Sequence, residues 1–352
     1  MAYIDIPKVS VKGISVCVPK NIEKVVDYRL FTQEEAIKFS QTTGVIERHI
    51  IKDDAKTTSD YCFVAAQYLI ERLGWADLSE IGVLVFVSQT RDYILPSTSC
   101  ILQERLGLSK ECLTLDIPYG CSGYVYGMSV ISSMISLGKI KKGLLLVGDV
   151  ITPHHNYEDK SSYPLFGDSG TATAFEYDEN AKDMNFHFAT DGSGSDAIII
   201  PDGGYRNRVN AESFEKYNYN GGKITKLDCH LDGMSVFSFG ISAVPKSVKA
   251  FMAKYELSPS DIDYFVMHQA NLSMNEIIRK KASFAPEQVP YSLKKYGNTS
   301  CSSIPVTIVS ELCKKLDSGS HKLLICGFGV GLSWGTVLVE VEDLECLPII
   351  EI

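Results

Sequence analysis

The chain has 352 residues, 45% of them hydrophobic and 22% charged, a balance that excludes a disordered or fibrous protein and allows a sizeable core. Its formal net charge of -9 argues against a general nucleic-acid or anionic-membrane surface, since both repel an acidic protein. At roughly 150 residues per domain the length fits two domains or one large fold of two similar halves, and the second is the expectation.

Residues 1–20 (MAYIDIPKVSVKGISVCVPK) lack the basic start, apolar stretch and cleavage site of a signal peptide. No uninterrupted apolar run approaches the ~20 residues that cross a bilayer, so no membrane association and a cytoplasmic location are expected. The 10 cysteines are scattered with no CxxC pair, which predicts no metal site and, in a reducing compartment, mostly buried inert thiols.

Helical spacing begins at Tyr61 to Leu73, with Ser59 as the candidate N-cap. Short branched apolar runs then predict buried strands at Val83 to Val87, Leu113 to Ile117 and Leu144 to Val147, with a helix from Ser122 to Leu137 between the last two. Polar and aromatic residues from Asp149 to Pro164 predict a loop, as do the Gly, Asp and Asn residues from Asp191 to Lys226. The divide between halves is expected near Asp178 to Asp183, giving units 1–180 and 181–352. Beyond it come a helix over Val236 to Tyr255 that contains Pro245, strands at Tyr264 to Met267 and Leu323 to Cys326, and a helix over Ser302 to Lys315 between those strands. Alternating strands and helices indicate an α/β sheet covered on both faces. Leu113 to Ser136 and Tyr264 to Lys281 share one layout of strand, turn and helix, with Cys121 and His268 in the two turns, which reads as structural duplication.

Four segments carry candidate chemistry. Cys121 follows a strand and a small-residue turn (Pro118-Tyr119-Gly120) and precedes a helix whose N–H groups and dipole favour thiolate, although a buried cysteine is more often core filler. His268, in Met267-His268-Gln269-Ala270-Asn271, also ends an apolar strand; alone it reads more often as a satisfied core or surface histidine. Asn298, in Tyr296-Gly297-Asn298-Thr299-Ser300, offers a side-chain amide, or with Thr299 simply caps the next helix. The run Gly327-Phe328-Gly329-Val330-Gly331-Leu332-Ser333-Trp334-Gly335 lacks a P-loop lysine, leaving backbone N–H groups for an oxyanion or a tight hairpin.

Together, and in this order, these motifs resemble the ketoacyl-ACP synthase III group of the thiolase superfamily. Thr43-Gly44-Val45-Ile46-Glu47-Arg48-His49, Leu95-Pro96-Ser97 and Phe166-Gly167-Asp168-Ser169-Gly170 add to the resemblance, which covers most of the chain. It implies a five-layered αβαβα thiolase-like fold, two halves about a pseudo-twofold axis, and a homodimer. It also implies that Cys121 takes an acyl group from a CoA or carrier-protein thioester. His268 and Asn298 then stabilise the enolate formed as malonyl-ACP loses carbon dioxide, with the backbone N–H groups of Cys121 and Val330 as oxyanion hole. No metal or redox cofactor is implied, and fatty acid biosynthesis is the family's usual pathway.

The resemblance assigns substrate contacts as well. Lys38 and Lys160 stand where relatives hold the adenine of CoA with a tryptophan and an arginine, which puts acetyl-CoA priming in question. Leu95 replaces an aromatic residue that lines the acyl pocket from the partner subunit, so a wider pocket is expected. Arg279, Lys280 and Lys281 offer local positive charge to an acidic acyl carrier protein. The competing reading is a thiolase-fold acyltransferase that passes the Cys121-bound acyl group to an alcohol or amine in specialised metabolite or surface glycan biosynthesis.

Overall fold

The computed structural model describes residues 2–52 and 55–352 and is framed by two sheets. In chain order the strands are β1 (Ala2–Ile6), β2 (Val9–Val18), β3 (Ile22–Lys24), β4 (Glu47–His49), β5 (Ile81–Val87), β6 (Leu113–Ile117), β7 (Lys142–Asp149), β8 (Ser169–Tyr177) and β9 (Met184–Thr190). Short strands β10 (Ile198–Ile199), β11 (Tyr217–Tyr219), β12 (Gly222–Ile224) and β13 (His230–Leu231) follow. The last are β14 (Tyr264–Met267), β15 (Ser320–Gly329), β16 (Ser333–Glu342), β17 (Glu345–Cys346) and β18 (Ile350–Glu351). The first sheet runs β17-β2-β8-β7-β5-β6, with β18 also on β2, and the second runs β1-β9-β16-β15-β14.

The two sheets repeat one pattern. In the first, β2 to β8 and β8 to β7 are antiparallel and β7 to β5 is parallel. In the second, β9 to β16 and β16 to β15 are antiparallel and β15 to β14 is parallel. The expected duplication is therefore present, but its correspondence differs from the one the sequence suggests. Strand β14 matches β5, so His268 answers to Ser88 and Gln89 at the end of β5. The turn holding Cys121 answers to the turn holding Asn298, because both lead into a helix of the central layer.

Helices α1 (Gln33–Thr43), α2 (Thr58–Arg72), α3 (Thr98–Arg105), α4 (Gly123–Ser136), α5 (Gly233–Lys254) and α6 (Leu272–Lys281) complete the layers. A further helical run, 303–316, includes a π-helical stretch at Ile308–Leu312. Helix α4 touches β5 and β7 of one sheet and β15 and β16 of the other, and 303–316 joins it between them. Its sequence is apolar or small nearly all round, as a helix covered on every side must be. Helices α2 and α3 cover the outer face of the first sheet, and α5 and α6 that of the second. The result is the five-layered αβαβα arrangement.

Strand β5 (IGVLVFV) is buried along almost its whole length because both faces of its sheet are covered. Helix α2 starts at Thr58 rather than after Ser59: the Thr57 N–H donates to the Asp60 carboxylate at 2.8 Å, and the Ser59 hydroxyl instead donates to Asp92 at 2.8 Å. Pro245 is carried within α5 without ending it.

Segment 178–183 joins β8 to β9, where the divide between halves was expected. Chain and layer do not separate cleanly there: β1 pairs with β9 in the second sheet, while β17 and β18 pair with β2 in the first.

Candidate active site

Three segments remote in sequence converge at the ends of the parallel strands, where α/β folds place their ligands. Cys121 lies in the turn between β6 and α4 and is 7% exposed. Strand β15 passes directly against it. A Cβ on Gly329 (φ +156°) would stand 2.5 Å from Cys121 Cβ and 2.8 Å from its Sγ, so only glycine permits the contact. The run 327–335 is both a hairpin, Gly329 pairing with Ser333, and a wall of the site. Its turn is tied down by Ser333, whose hydroxyl bonds Ser122 Oγ at 2.7 Å and the Val330 carbonyl at 2.8 Å.

Burial pushes the Cys121 thiol up to about 11. The Val330 N–H, its own backbone N–H and the Ser300 hydroxyl pull the other way but do not win. The sequence-based expectation of a resting thiolate is thereby corrected. Burial therefore favours the thiol over the thiolate in the resting site.

His268 follows β14, is 2% exposed, and is held through Nδ1 by the Ser303 hydroxyl at 2.7 Å. Burial drives its pKa down to about 3, so the ring is neutral across the physiological range. Asn298 follows Gly297 in left-handed backbone (φ +63°) and is buried. Its Oδ1 accepts the Ser300 N–H at 2.9 Å, which leaves its Nδ2 without a partner among the described residues. The segment is clamped to Phe166 and Gly167: Asn298 N–H donates to the Leu165 carbonyl, and Gly167 N–H to the Asn298 carbonyl, both at 3.0 Å. A Cβ on Gly167 would lie 2.2 Å from the Tyr296 carbonyl, which explains why two glycine-bearing motifs meet here.

Sequence reasoning missed Gln89, Asp149, Ser300 and Ser303. Gln89 Nε2 donates to Ser300 Oγ at 3.1 Å and to the Asp149 carboxylate at 3.2 Å. Asp149, fully buried at the end of β7, also takes bonds from Ser88 Oγ and the Gln89 N–H. The available signal was position, since Ser88-Gln89 and Asp149 both end parallel strands.

A cavity of about 300 Å³ opens beside Cys121, bounded by Val330, Ser300, Gln89 and Phe166 among others, and not by His268 or Asn298. The remaining predicted residues lie away from it. Leu95 is 80% exposed on a loop and is not among the residues lining this cavity. Lys38 is exposed on α1, and Lys160 pairs with Glu35 of α1 at 3.0 Å. Arg279 is not a free cation, contrary to expectation: it is buried, bonds the Glu276 carboxylate at 2.8 Å, and donates to the Phe284 carbonyl at 2.7 Å. Lys280 and Lys281 are exposed, and Lys281 Nζ reaches the Ile241 carbonyl at 2.7 Å. Among the described residues no cluster of side chains suits a metal ion and no helix is long and apolar enough to cross a membrane.

Comparison with known proteins agrees with this geometry. The family model for 3-oxoacyl-[acyl-carrier-protein (ACP)] synthase III matches residues 115–192, and that for its C-terminal part matches residues 252–341. The first span contains Cys121 and the second His268, Asn298 and Val330. A beta-ketoacyl-[acyl-carrier-protein] synthase III of Campylobacter fetus is 31% identical over 341 residues, covering 95% of this chain and 98% of the relative. One from Xanthomonas campestris is 32% identical over 320 residues, covering 91% and 92%. The crystal structure of a 3-oxoacyl-(acyl-carrier protein) synthase from Burkholderia xenovorans LB400 superimposes with a TM-score of 0.92 at 34% identity, covering 100% of this chain and 99% of that one. With the fold, the order of the motifs and the full length of the relatives all in agreement, this chain belongs to the beta-ketoacyl-[acyl-carrier-protein] synthase III family.

Proposed function

We propose that the protein is a β-ketoacyl-ACP synthase III that condenses an acyl primer with a malonyl thioester, in two half-reactions at one sulfur. In the first, the Cys121 sulfur attacks the primer thioester, the thiol proton passes to the departing sulfur, and the carrier leaves as a free thiol. The N–H groups of Cys121 and Val330 hold the tetrahedral oxyanion. In the second, malonyl-ACP loses carbon dioxide and its thioester oxygen takes the enolate charge. Asn298 Nδ2 and the neutral His268 ring meet that charge as hydrogen-bond donors too weakly acidic to quench it. The enolate carbon then attacks the acyl-Cys121 carbonyl, giving the β-ketoacyl thioester and expelling the Cys121 thiolate, which takes a proton from solvent to restore the thiol.

The observation that carries this reading is the cavity that reaches Cys121 but neither His268 nor Asn298. It gives the acyl chain a place of its own and leaves the imidazole and amide to the malonyl group. The steps proposed here use no metal or redox group. Family membership favours condensation over transfer to an alcohol or amine.

Acyl carrier protein is the proposed partner, with Lys280 and Lys281 supplying the positive charge and Arg279 holding the end of α6. Lys38 and Lys160 are proposed contacts for CoA phosphates. A homodimer is proposed because β6 is an open sheet edge with Leu113 and Leu115 exposed, and the loop bearing Tyr93, Ile94 and Leu95 is exposed nearby in sequence. In it Leu95 would line the partner's acyl pocket. A cytoplasmic setting suits the ten free cysteines.

Intact-mass spectrometry with a panel of acyl-CoAs, followed by malonyl-ACP and malonyl-CoA, tests the reading. An acyl adduct on the normal chain, absent from Cys121→Ala and discharged with carbon dioxide release, is expected. An adduct that ignores both malonyl donors would instead assign transfer to another acceptor.

A further inference from the structure

The polar loop 149–164 enters the cavity beside Cys121, and two of its imidazoles, His154 and His155, line it. Gln89, Thr90 and Ser300 lie among the cavity's other lining residues, and the side chains of Ile151, Phe166, Ile198 and Ile200 give it an apolar stretch suited to a fatty acyl chain. Two histidines are out of place for a purely hydrocarbon primer.

The hydrogen-bond chain behind His155 fixes what its ring offers. Ser162 Oγ donates its single proton to the Asp159 carboxylate at 2.6 Å, so towards His155 that oxygen can only accept. His155 Nδ1, 3.1 Å from it, must therefore carry the ring proton. The ring is 4% exposed, stacks on Phe166 with centroids 4.1 Å apart, and is kept neutral by burial, its pKa lowered to about 3. A neutral ring protonated at Nδ1 presents a bare lone pair at Nε2, and that atom has no partner among the described residues. His154 beside it also lacks a side-chain hydrogen bond among the described residues.

Resting on the condensing reading above, we propose that the primer is a hydroxyacyl group whose hydroxyl donates to His155 Nε2 inside the acyl cavity. A lone pair selects a donor, which favours a hydroxyl over a keto oxygen or an ester. No lysine or arginine lines the cavity, so a carboxylate-bearing primer would be buried without a counter-charge. A hydrocarbon primer would leave Nε2 buried and unpaired, which is the arrangement by which a polar site rejects the analogue lacking its hydroxyl. The cavity, at about 300 Å³, is also far larger than an acetyl group needs.

The test compares butyryl-CoA with 2-, 3- and 4-hydroxybutyryl-CoA. Binding is measured by calorimetry on the Cys121→Ala protein and acyl loading by mass spectrometry on the unaltered enzyme. At least one hydroxy isomer is expected to bind and load at least tenfold better than butyryl. His155→Phe should bring that ratio to one or below, while His155→Gln, which keeps an acceptor oxygen, should retain part of it. The ratio is internal, so partial misfolding cannot imitate its loss. Equal or weaker binding of all three hydroxy isomers overturns the proposal and assigns His155 to the pantetheine arm common to every CoA ester. A preferred hydroxyacyl adduct that no malonyl donor discharges would sink the condensing reading and leave the cavity assignment standing.

Discussion

Iodoacetamide reads the state of the Cys121 sulfur directly. With burial holding the thiol near 11, its alkylation rate should still be rising with pH at 9, where an ordinary exposed cysteine levels off. A plateau near pH 7 would show a resting thiolate instead. Two neighbours separate the half-reactions. Gly329→Ala puts a methyl group against the sulfur and should cut acyl loading by about a hundredfold or more, the scale of a 1 Å misplacement. Ser303→Ala frees the His268 ring and leaves Nδ1 unpaired. It should lower condensation by about tenfold, read by carbon dioxide release, with acyl loading little changed. At this scale the sequence displayed Cys121, His268 and Asn298 because each stands at the edge of an apolar strand or ahead of a helix. It hid Gln89, Ser300 and Ser303, since hydroxyls and amides fill every polar turn and only tertiary contact singles out these three.

The central strands and helices were visible as branched apolar runs and helical spacing: the five predicted strands fall within β5, β6, β7, β14 and β15, and the four predicted helices overlap α2, α4, α5 and the run 303–316. What the pattern could not supply was order. Cys121 and His268 looked like a matched pair because both follow a strand and precede a helix, yet a sheet is not laid down in chain order, and β14 takes the place of β5. The cap of α2 shows the same limit over two residues: Thr57, Ser59 and Asp60 are all plausible cap formers, and only the bond from Thr57 N–H to Asp60 decides between them. Asp60→Ala should cost about 1 kcal/mol, read from the urea midpoint, mostly through that cap. The ion pair from Asp60 to Arg105 is partly exposed and adds little. The strand-end histidine and the loop histidine also make the fold sensitive to acid. His155 and His268 stay neutral down to about 3, against an ordinary 6.5. Below pH 6.5 the unfolded chain binds protons there that the native chain refuses, so the stabilisation is complete above 6.5 and is lost as pH falls towards 3. The urea midpoint should drop between pH 7 and pH 4, and less steeply in His155→Gln.

At the scale of the whole molecule the five layers follow from composition and alternation: both sheets are apolar on two faces, so helices must lie outside and between them. The open edge at β6 predicts a dimer by sedimentation equilibrium, and Leu115→Lys on that edge should shift the mass towards the monomer. A chain that remains a monomer at micromolar concentration would remove Leu95 from the acyl pocket. The exchange of end strands between the sheets was not legible at all, because nothing in the composition of a short strand says which sheet it joins. Its consequence concerns synthesis on the ribosome. Residues 9–18 are made before most of the second sheet but receive their last neighbours, 345–346 and 350–351, only after every strand of that sheet has been made. The first sheet therefore waits with one margin bare while the second is being made, and cutting the chain before residue 345 should weaken the sheet that was made earlier.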